Sequence, residues 1–117
     1  MKRMLFLIVC CFSTNAFSIP LGASCSPAVP TTDPNFCASF KASAACYCEN
    51  WGLRRNMCQD MKTIQKRMRS IFGSIENACA YQKDTSPQIC LDDWKCYFSG
   101  GYDSNGNLCS GTGKSCE

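Results

Sequence analysis

From Asn56 to Cys79 the apolar side chains fall at Met57, Met61, Ile64, Met68, Ile71, Ile75 and Ala78, alternately four and three residues apart. That alternation keeps one stripe on one side of an α-helix. The stretch therefore predicts a single long amphipathic helix, with Asn56 capping its start and Gln59 at the third helical position. At about 1.5 Å per residue it would run roughly 36 Å, interrupted only at Gly73. Upstream, Phe36, Cys37, Phe40, Ala44 and Cys48 recur at helical spacing behind Asp33-Pro34, a cap followed by proline. This predicts a first helix over about Pro34 to Cys48, ended by Gly52, with Trp51 packed over the corner.

Downstream, Ser86-Pro87 repeats the cap-and-proline signal ahead of Gln88 to Phe98. A helix there would align Cys90, Trp94 and Tyr97, whereas a strand in its second half would align Trp94, Cys96 and Phe98. The pattern leaves both open. Ile19 to Thr32 carries three prolines and no charge, and reads as an extended arm pinned at Cys25. Ser99 to Glu117 is rich in Gly, Ser and Asn, with Asn105-Gly106 as its strongest turn signal. The fold class expected is mainly α: a small disulfide-rich helical domain, two to three helices around one long amphipathic helix. An irregular or β-hairpin tail closes it.

The first residues read differently. Lys2 and Arg3, an apolar run from Leu5 to Phe12 and the small-residue end Ala16-Phe17-Ser18 are the parts of a signal peptide over residues 1–18. Eight apolar residues make about 12 Å of helix, too short for a bilayer core of about 30 Å. The rival, a lipid-modified Cys10 behind Leu7-Ile8-Val9, has Val9 where such a motif takes a small residue. The remainder, residues 19–117, is read as one cysteine-rich domain: an arm over 19–32, a helical core over 33–98 and a tail over 99–117.

Removing the leader changes the chemistry expected. The formal charge falls from +3 to +1 with the loss of Lys2 and Arg3, and twelve cysteines become ten with the loss of Cys10 and Cys11. An even, dense set in an exported chain predicts a disulfide framework over Cys25, Cys37, Cys46, Cys48, Cys58, Cys79, Cys90, Cys96, Cys109 and Cys116. If the first two helices form a hairpin, Cys48 lies near Cys58. A Cys37–Cys79 bridge would then need a break near Gly73, because ten surplus residues make about 15 Å of helix and bridged Cα atoms lie within about 7 Å. Pairing of Cys79 downstream, with Cys90 or Cys96, is preferred. Cys46 and Cys48 are too close for an unstrained bridge and are expected to take different partners, which leaves little for a redox motif.

The sequence contains no histidine, which removes the usual general base, the Ser-His and Cys-His nucleophile pairs and the commonest zinc ligand. Asp92-Asp93 is the only adjacent carboxylate pair, and on a helix its members diverge by about 100°, so it is read as solvated surface. Gly111 to Ser115 (GTGKS) imitates the end of a phosphate-binding loop, but Leu108 stands at its first glycine and no helix can follow. Asp103, Asn105 and Asn107 open like a calcium loop, yet Leu108 and Lys114 occupy the positions of its glycine and glutamate, and a tight turn explains them. No catalytic residue, metal or cofactor is expected.

What remains is electrostatic. Arg54, Arg55, Lys62, Lys66, Arg67 and Arg69 crowd sixteen residues against Asp60 alone, with Lys62, Lys66 and Arg69 clustered away from the apolar seam. Such a ridge suits a protein partner, with anionic lipid or polysaccharide as further candidates. Nucleic acid does not fit a near-neutral exported chain. Helices with Cys-x-Cys and a leader are similar to the plant lipid-transfer and seed-albumin group. That pattern needs an adjacent cysteine pair in the mature domain, and here the only one is Cys10-Cys11. The function expected is a non-enzymatic exported interaction subunit, periplasmic or extracellular, of a bacterial cell-envelope or secretion assembly. The alternative is a freely secreted effector, ligand or toxin-like protein acting on a host or competitor surface.

Overall fold

Asp60, not Asn56, starts the amphipathic helix. In a computed structural model that describes residues 25–82 and 85–117, the Asp60 carboxylate accepts from the Thr63 backbone N–H and, across 2.7 Å, from the Thr63 hydroxyl. Met61–Phe72 follows as an α-helix, here α2, and Asn56 belongs to a preceding 3₁₀ turn, Arg55–Met57. The single long helix expected from Asn56 to Cys79 is thus corrected to two. Gly73 takes a left-handed φ of 86° and ends α2 with its N–H on the Arg69 carbonyl, 2.8 Å away. Ser74 then caps α3, Ile75–Tyr81, by accepting from the Asn77 N–H. The Asn77 side chain donates back to the Phe72 carbonyl at 3.1 Å, so the break satisfies both helix ends.

Helix α1 covers Phe36–Asn50, two residues later at each end than the sequence suggests. The Asp33 side chain does not cap the helix: it accepts from the Asn35 N–H one turn earlier. Trp51 and Gly52 close α1 by donating to Tyr47 and Glu49 carbonyls, and the Trp51 ring meets Phe72 edge-on at 5.5 Å. The segment left open between helix and strand is a helix, α4, over Pro87–Ser99, with Ser86 accepting from the Ile89 N–H. The molecule is therefore mainly helical, with four α-helices and five disulfides among the described residues. Among the described residues no strand forms, and the tail holds one antiparallel bridge, Tyr102 to Leu108. The leader expected over 1–18, and residues 19–24 of the arm, lie outside the described residues.

Phe36, Phe40, Ala44 and Cys48 of α1, Met61, Ile64 and Met68 of α2, Ile75 and Ala78 of α3, and Trp94 and Tyr97 of α4 are buried in one core. Phe40 sits at its centre, 5.5 Å from Phe36, 4.9 Å from Trp94 and 5.7 Å from Tyr97 between ring centroids. Ile71, expected in the seam, is 50% exposed, whereas its neighbour Phe72, the last residue of α2, packs against the core.

The cysteines pair Cys25–Cys46, Cys37–Cys116, Cys48–Cys58, Cys79–Cys90 and Cys96–Cys109. The expected closeness of Cys48 to Cys58 and the downstream pairing of Cys79 both occur. Cys46 and Cys48 diverge to different partners, as their spacing requires. Cys37–Cys116 returns the chain end to α1, and the Cys116 N–H on the Tyr97 carbonyl, at 2.8 Å, fixes it to α4 as well.

Candidate functional site

Two features have the geometry of binding sites. The first is the basic face of α2. Its buried residues, Met61, Ile64 and Met68, define one side, and at 100° per residue Lys62, Lys66 and Arg69 gather on the other. All three are exposed. Arg67 is also exposed but stands about 100° round from Lys66, so the ridge does not include it. Arg54 and Arg55 lie on the turn before Asp60, and Arg55 is engaged with Glu49 at 3.3 Å in an exposed ion pair. Of the six basic residues singled out in the sequence, three therefore share one helix face and three flank it. At the far end of α2 stand the exposed Ile71 and, against Phe72 at 5.2 Å, the ring of Tyr81, which is 74% exposed.

The second feature was not anticipated. A cavity of about 530 Å³ opens between the arm, α1, the start of α4 and the tail. The arm forms its rim: Cys25 is bridged to Cys46, the Val29 N–H donates to the Ser39 hydroxyl at 2.9 Å, and the Thr31 hydroxyl donates to Asp103 at 2.9 Å. Phe40, Tyr47, Trp51 and Trp94 contribute aromatic wall.

Three carboxylates line this cavity: Asp92, Asp93 and Asp103. Asp103 accepts from the backbone N–H groups of Asn105 and Asn107 and from Thr31. These bonds, led by Asn107, hold its pKa below the ordinary value. The residues that resemble a calcium loop thus spend the Asp103 carboxylate on their own turn. Asp92 accepts from the Ser104 hydroxyl at 2.6 Å, from the Ser104 N–H and from Gln88. Asp93 forms no hydrogen bond or ion pair with any described residue, and burial, followed by the adjacent Asp92 charge, pushes its pKa up from 3.8 to about 7.

The reading of Asp92-Asp93 as solvated surface is therefore corrected: they are 9% and 7% exposed. Their divergence on α4 is real, but the tail folds over one side and α1 and the arm over the other. No local sequence signal marks this burial, because the Ser104 hydroxyl that meets Asp92 lies 12 positions away. One turn farther along α4, burial and the nearby Glu117 carboxylate raise the Tyr97 phenol to about 12, and its hydroxyl donates to Glu117 at 3.3 Å.

No protein-family model matches the chain, and no curated protein or solved structure matches it. Among the described residues no helix is long and apolar enough to cross a membrane.

Proposed function

We propose that this chain is an exported, non-enzymatic interaction subunit that docks through the basic face of α2 onto an acidic surface of a partner protein. The observation that carries the reading is the three-residue ridge Lys62, Lys66 and Arg69. It is exposed along one helix whose opposite side is buried, and no ion pair to it occurs among the described residues. A helix anchored this way presents its charges on a fixed backbone, which favours oriented association over diffuse attraction. Arg54, Arg55 and Arg67 extend the positive field at the flanks, and Ile71 with Tyr81 supplies exposed apolar area beside it.

Five disulfides are consistent with an oxidising, exported location. Together with the leader read over 1–18, they support a periplasmic or extracellular site of action. An accessory role in a bacterial cell-envelope or secretion assembly fits a small stapled scaffold with one charged docking face. The test is the native size of the protein after gentle envelope extraction, with the culture medium assayed in parallel. Reproducible migration with a larger assembly supports the reading. A free monomer in the medium overturns it in favour of a secreted effector.

A further inference from the structure

We infer that the cavity beside α4 is a binding site for an alkyl ammonium group, with the Asp93 carboxylate as its counter-charge and the apolar lining that includes Trp51 around its stem. The site is distinct from the basic face of α2 and stands whether or not that face docks a partner. Its volume, about 530 Å³, lies in the range of small-ligand pockets. Asp93 is only 7% exposed, lines the cavity and has no hydrogen-bond or ion-pair partner among the described residues. No fully buried side-chain oxygen among the described residues lacks a partner, so the Asp93 carboxylate opens onto the cavity, where an incoming donor can reach it.

The described surroundings favour a cation. Asp92 and Asp103 face the same space, and every donor to them is neutral: Ser104, Gln88, Thr31 and backbone N–H groups. Among the described residues lining the cavity there is no lysine or arginine. The negative charge is therefore uncompensated by the described walls. The partly exposed apolar lining of Ala28, Val29 and Trp51 favours a cation carried on an aliphatic stem, through burial of the stem. The three carboxylates are not grouped as ligands of one metal ion. An ammonium brings its own three donors and needs only one carboxylate close by.

Binding must track the charge of Asp93. Among the described residues the titratable groups lining the cavity with it are Asp92 on its own helix, Tyr47 on α1 and Asp103 in the tail, and the arm adds none. An ammonium therefore competes with the Asp93 proton, and affinity falls by about tenfold or more from pH 8 to pH 5.

The test is calorimetric titration of the full, disulfide-intact protein with three probes: hexylammonium, neutral 1-hexanol and an end-blocked Gly-Lys-Gly peptide. Hexylammonium is expected to saturate and to bind about tenfold or more tighter than hexanol. Asp93→Asn, which keeps the shape and removes the charge, abolishes that preference, and circular dichroism confirms that it folds. Saturation by the peptide alone assigns the ammonium to a lysine of a partner protein; saturation by hexylammonium alone assigns it to a free amine. Equal binding of hexanol and hexylammonium, an unchanged preference in Asp93→Asn, or no saturation by either cation overturns the inference.

Discussion

Asp92 and Asp93 are neighbours on α4 and both are buried, but among the described residues only Asp92 meets hydrogen-bond donors, chiefly the Ser104 hydroxyl at 2.6 Å. Asp93 is left with burial and the Asp92 charge, which together raise its pKa to about 7. Between about pH 4 and pH 7 the native state then holds one proton more than the unfolded chain. Stability falls as pH rises through that window and levels off above it. Asp93→Asn removes this dependence. Its gain over the parent should be near zero at pH 4 and reach roughly 3–4 kcal/mol at pH 8, measured by urea unfolding at both values. An equal difference at the two pH values would mean that Asp93 is not titrating abnormally.

Gly100 and Gly52 both have positive φ, 62° and 83°, but only one is crowded. A Cβ at Gly100 would lie 2.5 Å from the Ser115 backbone nitrogen and 2.6 Å from the Gly113 carbonyl oxygen, whereas at Gly52 nothing lies within 4 Å. Gly52→Ala should cost only the backbone term of about 1–2 kcal/mol. Gly100→Ala should cost about 3 kcal/mol or more, because the tail must leave α4 to admit the methyl group. Thermal denaturation of the two variants gives the comparison, and similar losses would contradict the close docking of the tail.

Cys37 and Cys116 are both half-buried, whereas every other bridge has at least one fully buried partner. Access of the attacking thiolate limits exchange, so mild reductant should open Cys37–Cys116 first. Alkylation and peptide mass mapping should then label those two residues ahead of all others. Their separation of 79 residues makes this bridge worth on the order of 4–5 kcal/mol of chain entropy, so the early product should also unfold at lower urea. First labelling at Cys48 and Cys58 would contradict the burial described.

The parts of this fold legible in the sequence are the local ones. Ser86 ahead of Pro87 is a cap because a hydroxyl there reaches the Ile89 N–H whatever the tertiary structure. The seam Met61, Ile64, Met68 follows from helical period alone. The 4-3 pattern carries across Gly73 unbroken and so suggests one long helix, because Ile75 and Ala78 of α3 return to the same core after the break. Asp60, directly before Met61, was the better cap signal than Asn56. The cavity was not legible, because it depends on residues far apart in the chain: Thr31 meets Asp103 across 72 positions, and Ser104 meets Asp92 across 12. Helical geometry gives the angle between Asp92 and Asp93, but which sides of α4 are covered is set by where the tail and arm close.

The most direct test of the docking face is co-purification of partners with the parent protein and with the triple variant Lys62→Glu, Lys66→Glu, Arg69→Glu. Glu at position 62 favours the α2 N-terminus and Glu at position 69 disfavours its last turn, so helicity should stay close to the parent's. Retention of the partner should fall about tenfold or more at moderate salt, as reversed rim charges meet an acidic surface. Undiminished retention by a folded triple variant would contradict a role for the basic face.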